Sequence, residues 1–351
     1  MSLKWTSGGS VIQSYKISSL VIEPGTYFIQ NKETEKYVDI ENQAMTNGTQ
    51  IHQWEFHYGL TQHWSFQYLS DGYFYISSAN GTGYYLGVSG DSTVNNSSVI
   101  LRTGAITNGM RWRVEKNTNG SYKIIPKTGS VNGLVLATAE NSCGDGVDIC
   151  QKTYVYDSNY TDEWYLIQPT EVIESVPTNL RSNSTHLCVP CAITNIASYW
   201  CVDYGYSQFG CATVTEQESK AAQVQTTMQS AGPGYHQDNQ FVQYGFDVFQ
   251  HVAGNSTYSL YATNYFKSNN EVSFELVETE ISALRPCLLG FANTSDNPYG
   301  GAHMTVCVGY DTNNGLDYVY VSDAHISGFR RWKFSPLTYS DFISAVDIYS
   351  Y

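Results

Sequence analysis

His186-Leu187-Cys188-Val189-Pro190-Cys191-Ala192-Ile193-Thr194-Asn195-Ile196-Ala197-Ser198-Tyr199-Trp200 decides how the second half of the chain is read. A loop rich in Ser, Asn and Thr (residues 181–186) leads into it, and Ala192, Ile193, Ile196, Ala197 and Trp200 follow at three- and four-residue spacings. That spacing sets them on one buried helical face. Cys188 therefore falls near a helix N-terminus, where unpaired backbone N–H groups and the helix dipole favour a thiolate. A thiolate held there is a nucleophile if a histidine stands beside it. Without one it is a buried structural thiol, since cysteine is among the most buried residue types.

Downstream, the pattern predicts helices over 188–204, over 215–231 ending at Gly232-Pro233-Gly234, over 237–252, and a fourth over 257–268. Strands take over at Cys287–Ala292, His303–Tyr310, Asp317–Ser322, Arg330–Phe334 and Ala345–Tyr349. Helices first and strands after predict an α+β domain with an antiparallel sheet. His303 opens an apolar strand after Gly300-Gly301-Ala302, and the next strand, Tyr318-Val319-Tyr320-Val321-Ser322-Asp323, ends in a carboxylate. If the two strands are neighbours, Asp323 accepts from one ring nitrogen of His303 while the other faces Cys188: nucleophile, base and orienter. Taken singly, His303 is a solvent-facing strand end and Asp323 a turn residue; the three together point to chemistry.

Cys-Val-Pro-x-Ala-x-x-Asn-x-x-x-Tyr-Trp (188–200), Gly-Ala-His-Met-x-Val-x-Val-Gly-Tyr-Asp (301–311) and Val-Tyr-Val-Ser-Asp (319–323) together resemble papain-fold cysteine peptidases. Among these the chain is most similar to the branches of the bacteriocin-leader (C39-like) peptidases and streptopain, over about 176–351. The resemblance implies Cys188 as nucleophile, His303 as base, Asp323 as orienter, and no cofactor. Such peptidases usually carry a Gln about six residues before the nucleophile, in the oxyanion hole. Ser182 and Asn183 stand there, and Asn183 is the candidate donor beside the Cys188 N–H. Cys191 occupies a place usually held by Thr. Two rival readings stay open: a catalytically dead domain serving as an adhesion platform, and a Cys188-Val-Pro-Cys191 dithiol of the thioredoxin type. The second should follow a strand, whereas the residues before Cys188 are polar and irregular.

The first half has another texture. Gly25-Thr26-Tyr27-Phe28-Ile29-Gln30, Gly72-Tyr73-Phe74-Tyr75-Ile76 and Gly120-Ser121-Tyr122-Lys123-Ile124-Ile125 recur about every fifty residues, each reading as an opening strand. Aligning them stacks Tyr37–Ile40, Tyr85–Val88 and Val135–Thr138, and puts Trp64, Trp112 and Trp164 in one column, 25, 25 and 27 residues beyond positions 39, 87 and 137. Three such repeats predict a closed, three-fold all-β unit with the tryptophans in its core. Gln62-His63-Trp64 at the end of the first repeat resembles the Gln-x-Trp of ricin-type β-trefoil lectins, over roughly 24–168. Met110-Arg111-Trp112 and Asp162-Glu163-Trp164 lack the Gln. The resemblance implies one sugar site, in the first repeat: Asp39 accepting from hydroxyls, Trp54 as the aromatic platform, His52 and Gln62 as neighbouring polar contacts. The second repeat offers Gly87 and Arg102 at those places, the third Ala137 and Lys152.

Lys plus Arg at 18 against Asp plus Glu at 32 gives a net charge of −14, which argues against nucleic acid and anionic membranes as partners. Only 14% of residues are charged, a polar but uncharged balance that suits a secreted protein. No apolar run is long enough to span a bilayer. Cys143/Cys150 and Cys201/Cys211 are local pairs that could close short loops in an oxidising compartment. The expected organisation is an N-terminal extension (1–23), a trefoil carbohydrate-binding domain (24–168), a linker with prolines (169–180) and a papain-like peptidase domain (181–351). The expected partners are a glycan or glycoprotein and a peptide or protein substrate, with no metal.

Overall fold

A computed structural model describes residues 2–7, 10–16, 20–140, 142–155, 161–168, 170–178, 180, 188–230, 241–254, 258–266, 273–291, 303–326, 328–334 and 340–350; for 2–7, 10–16, 241–245, 258–266 and 340–350 it describes the backbone alone. The chain divides into two compact units, Met1–Trp54 with Leu60–Leu166, and Glu55–Gly59 with Ile167–Tyr351.

In the first unit, β1 (Ser2–Ser7) and β2 (Ser10–Lys16) form a separate hairpin. Twelve strands follow, four to a repeat. The first repeat has β3 (Gly25–Asn31), β4 (Tyr37–Ile40), β5 (Ile51–Trp54) and β6 (Trp64–Tyr68). The second has β7 (Phe74–Ser78), β8 (Tyr85–Val88), β9 (Ser97–Arg102) and β10 (Arg111–Lys116). The third has β11 (Tyr122–Pro126), β12 (Leu134–Thr138), β13 (Val147–Thr153) and β14 (Trp164–Ile167). The outer strands of each repeat pair with one another and with those of the next, closing a ring β3-β6-β7-β10-β11-β14. The inner strands form the hairpins β4–β5, β8–β9 and β12–β13. This is the β-trefoil expected from the repeats.

Trp64, Trp112 and Trp164 are fully buried, and their indole N–H groups donate to the carbonyls of Val38, Leu86 and Leu136 at 2.9, 2.9 and 2.8 Å. Each repeat thus ties its last strand to its inner hairpin by the same bond. A large ring brings apolar area, and its one polar atom is satisfied where water cannot reach.

The second unit holds α1 (Cys188–Asp203), α2 (Val214–Ser230), α3 (Phe241–Ala253) and α4 (Phe274–Ser282). Its strands are β15 (Glu171–Val172), β16 (Tyr258–Phe266), β17 (Cys287–Phe291), β18 (His303–Asn313), β19 (Leu316–Ser322), β20 (Arg330–Lys333) and β21 (Ser340–Ser350). The sheet is antiparallel in the order β16-β21-β17-β18-β19-β20, with β15 on β18. Helices beside an antiparallel sheet match the expected α+β class. α1 is buried on every face from Val189 to Cys201, so it forms the axis of the unit rather than a surface helix. Thr213 and Glu216 close the start of α2 as a capping box: Thr213 N–H donates to Glu216 Oε2 at 2.9 Å and Glu216 N–H to Thr213 Oγ1 at 3.3 Å.

Three expectations need correction. Residues 258–266 are a strand, not a fourth helix, because all nine residues pair with β21. The linker span contains β15, which docks on β18 at Gly309; a side chain there would sit 2.6 Å from the Glu171 carbonyl oxygen. All eight cysteines are free thiols, so neither Cys143/Cys150 nor Cys201/Cys211 is bridged; Cys143 is exposed while Cys150 is buried.

Candidate active site and candidate sugar site

Cys188 is the first residue of α1, and its sulfur is faced by the backbone N–H groups of Cys188, Val189 and Met304. Pro190 falls in the first turn, where its missing N–H costs the helix nothing. α1 packs along β18, whose first two residues are His303 and Met304. The strand thus brings the histidine-bearing residue next to the one that touches the sulfur. Burial pushes the Cys188 thiol above its usual value, against the lowering by the three N–H groups.

His303 Nε2 lies 2.9 Å from the main-chain oxygen of Asp323. A carbonyl only accepts, so Nε2 carries the hydrogen, and in the neutral ring Nδ1 keeps the lone pair a base needs. Burial holds the imidazole below its ordinary value of 6.5; the Asp323 carbonyl and charge work the other way, and His325 adds to the lowering. The His325 ring lies over His303, centroids 4.6 Å apart and tilted by 35°.

Asp323 meets the His303 ring through its main-chain oxygen, not through the carboxylate as expected. That carboxylate is fully buried and already engaged: Oδ1 accepts the N–H groups of His325 (2.9 Å) and Ile326 (3.3 Å), and Oδ2 accepts Arg330 Nε at 2.6 Å. Ala324 then takes the left-handed conformation, φ 60°, and the Asp323 carbonyl faces the ring. A neutral acceptor fixes the tautomer without the strong charge stabilisation an ionised partner gives imidazolium. Asn183, the expected oxyanion donor, lies outside the described residues.

Cys191, three residues along α1, is fully buried and its thiol is pushed up to about 12 by burial and the neighbouring Cys188. A dithiol oxidoreductase needs an acidic outer thiol, whereas burial raises Cys188 as well, which disfavours that rival. Among the described residues no group of His, Cys, Asp and Glu is arranged to hold a metal, and no helix is long and apolar enough to cross a membrane.

In the trefoil, β4 and β5 place Asp39 opposite His52 and Tyr37 opposite Trp54. Trp54 is exposed (38%), while Asp39 is 4% exposed and receives Gln62 Nε2 on Oδ2 at 3.1 Å. His52 is buried and stacked on Trp54, centroids 5.2 Å apart and tilted by 24°. All four expected residues therefore meet, with His52 backing the platform and Gln62 orienting the carboxylate. The matching place in the second repeat is filled: the Arg102 side chain lies over Gly87, so that a Cβ there would meet Arg102 Cδ at 2.7 Å, and Arg102 pairs with Asp91. In the third, Lys152 stands opposite Val135 and Ala137 replaces the aspartate.

Met304, His325, Arg330 and Glu55, whose Oε2 accepts from Arg330 at 3.1 Å, were not expected at the candidate site. Met304 acts through its backbone and Glu55 lies far off in the chain, so neither leaves a motif. His325 does leave a signal, a second histidine two residues past Asp323.

Residues 4–102 and 60–152 match the ricin-type β-trefoil lectin domain-like family, and residues 151–339 match the Peptidase_C39 like family. No curated protein matches the sequence. Among solved structures the chain is similar to ThreeFoil, a designed three-fold symmetric protein, at 25% identity over 41% of this chain and 99% of that one, with TM-score 0.38. It is also similar to the agglutinin of Rhizoctonia solani, at 17% identity over 43% of this chain and 99% of that one, TM-score 0.37. A third is the exo-β-1,3-galactanase 1,3Gal43A of Clostridium thermocellum, at 24% identity, 41% of this chain but 30% of that one, TM-score 0.38. With more than half of its length inside the second family match, the chain belongs to the Peptidase_C39-like family and carries a ricin-type β-trefoil lectin-like domain before it in sequence.

Proposed function

We propose that the protein is a secreted cysteine peptidase whose trefoil holds it at glycans or glycoproteins. The observation that carries the catalytic half is the 2.9 Å contact of His303 Nε2 with the Asp323 carbonyl: it assigns the hydrogen to Nε2 and makes Nδ1 the base, on the residue next to the one whose backbone faces the Cys188 sulfur. With the thiol raised and the imidazole lowered, the resting pair is neutral, and the proton moves as attack begins. Nδ1 takes the thiol proton as sulfur adds to the substrate carbonyl. The same proton is then given to the leaving amine, leaving a thioester on Cys188. Water, deprotonated by Nδ1, attacks the thioester; the acid leaves, and the thiol regains its proton. The Cys188 N–H is the proposed donor to the oxyanion.

Mild reduction followed by a thiol-directed electrophile tests this half. Cys188 should be labelled faster than exposed Cys143, and peptide-library cleavage should vanish when it is blocked. Slow labelling and no cleavage would leave the adhesion reading standing.

For the trefoil, Asp39 supplies the acceptor and Trp54 the platform. A glycan array probed with the full chain should give a ligand set that Trp54→Ala loses by about tenfold or more, the worth of an exposed ring against a sugar face. Binding unchanged by Trp54→Ala would place the ligand elsewhere or nowhere.

A further inference from the structure

We propose that residues 55–59 are a working part of the peptidase site: through Arg330 and Asp323 they hold His303 in its reactive orientation. This rests on the peptidase reading above.

The link is continuous. Glu55 Oε2 accepts from Arg330 Nη1 at 3.1 Å, Arg330 Nε donates to Asp323 Oδ2 at 2.6 Å, and the Asp323 carbonyl accepts from His303 Nε2 at 2.9 Å. One guanidinium thus spans two carboxylates, and its planar fork fixes the position of one relative to the other. The same segment grips the loop a second time. Phe329 N–H donates to the His57 carbonyl at 3.3 Å, and Gly328, at φ +102°, passes so close that a Cβ would lie 2.0 Å from that oxygen. Tyr58 packs at a tilt against Phe329, centroids 5.3 Å apart, and edge-on against Tyr320, 5.7 Å apart. The loop between β19 and β20 is therefore held at its start by the buried Asp323 carboxylate and at its end by residues 55–59. All of these groups lie in the second compact unit.

Stability alone does not explain the arrangement. The Glu55 side chain is 40% exposed, and ion pairs at such positions add little to folding. What Glu55 can do is set the angle of Arg330, and with it the Asp323 carbonyl. Both are positioning residues, and the loss of part-exposed Glu55 should show in the reactivity of Cys188 and not in melting.

The test needs no substrate. Iodoacetamide alkylation at pH 7, followed site by site by peptide mass spectrometry, reads Cys188 with exposed Cys143 as the internal control. A misplaced base slows the reaction it assists, so we expect Glu55→Gln to slow Cys188 by about fivefold and Arg330→Gln by about thirtyfold, with Cys143 unchanged. The double variant should be no slower than Arg330→Gln alone, because the two act in series. Arg330→Lys keeps the charge but not the fork and should fall between. Glu55→Gln is isosteric and part-exposed, so it reads the link even where Arg330→Gln unfolds the unit. If His303→Ala slows Cys188 while Glu55→Gln and Arg330→Gln match the parent, this inference is overturned and the peptidase reading stands. If His303→Ala leaves Cys188 unchanged, both fall.

Discussion

Replacing His303 by alanine is expected to lower peptide hydrolysis by about a thousandfold or more, while glycan binding is unchanged. The size follows from the resting pair. Burial holds the Cys188 thiol above its usual value, so at neutral pH there is little thiolate to act without a base. The pH profile of kcat/KM should carry the same signature. Protonated His303 cannot accept the thiol proton, and burial sets its protonation below 6.5. Activity should therefore hold as the pH falls to 6.5 and decline only beneath it. The stability term has the same sense: an unfolded histidine takes up a proton near 6.5 that the folded one resists, so the contribution present above that pH is lost below it. Retained hydrolysis in His303→Ala, or an acid limb centred at or above 6.5, would contradict the proposed roles.

The second large effect concerns folding. Arg331 and Asp311 are both almost completely buried and joined by two bonds, Nε to Oδ2 at 2.7 Å and Nη2 to Oδ1 at 2.6 Å. Tyr320 donates to the same Oδ2 at 2.7 Å, and the guanidinium lies 3.5 Å above the Tyr318 ring. Removing one member of such a pair strands the other charge away from water. Arg331→Ala should destabilise the second unit by about 3–5 kcal/mol, whereas Arg331→Met with Asp311→Leu, which removes both charges, should recover most of that loss. Two-probe denaturant unfolding of the full chain would separate the units' transitions. A shift below about 1 kcal/mol in Arg331→Ala would mean the pair is as unimportant as a surface ion pair.

The repeat columns, the Cys188 helix and the His303 strand were legible because each rests on local periodicity. The three indole bonds to Val38, Leu86 and Leu136 are the physical cause of the regular spacing between the 39/87/137 positions and the tryptophans. Residues 258–266 were misread because Tyr258, Tyr261, Ala262, Tyr265 and Phe266 fit a helical stripe as well as a strand; pairing with β21, some eighty residues on, decides the matter. Asp323 was found but its acting atom was not. Spacing gives the residue that ends a strand; the left-handed Ala324 and the Arg330 contact decide whether carbonyl or carboxylate faces the ring. Met304 contributes a backbone N–H that any residue but proline supplies, so no side-chain pattern marks it.

The placement of residues 55–59 also bears on how such a gene can be cut and recombined. Phe56, buried against Tyr320 with ring centroids 5.6 Å apart, is encoded more than a hundred codons before the rest of its unit. A fragment beginning after the third repeat would encode a peptidase-like unit with an open seam where Phe56 and Tyr58 belong. Exchange of either half by a single crossover would separate that seam from its filling, so the two halves are expected to be inherited together.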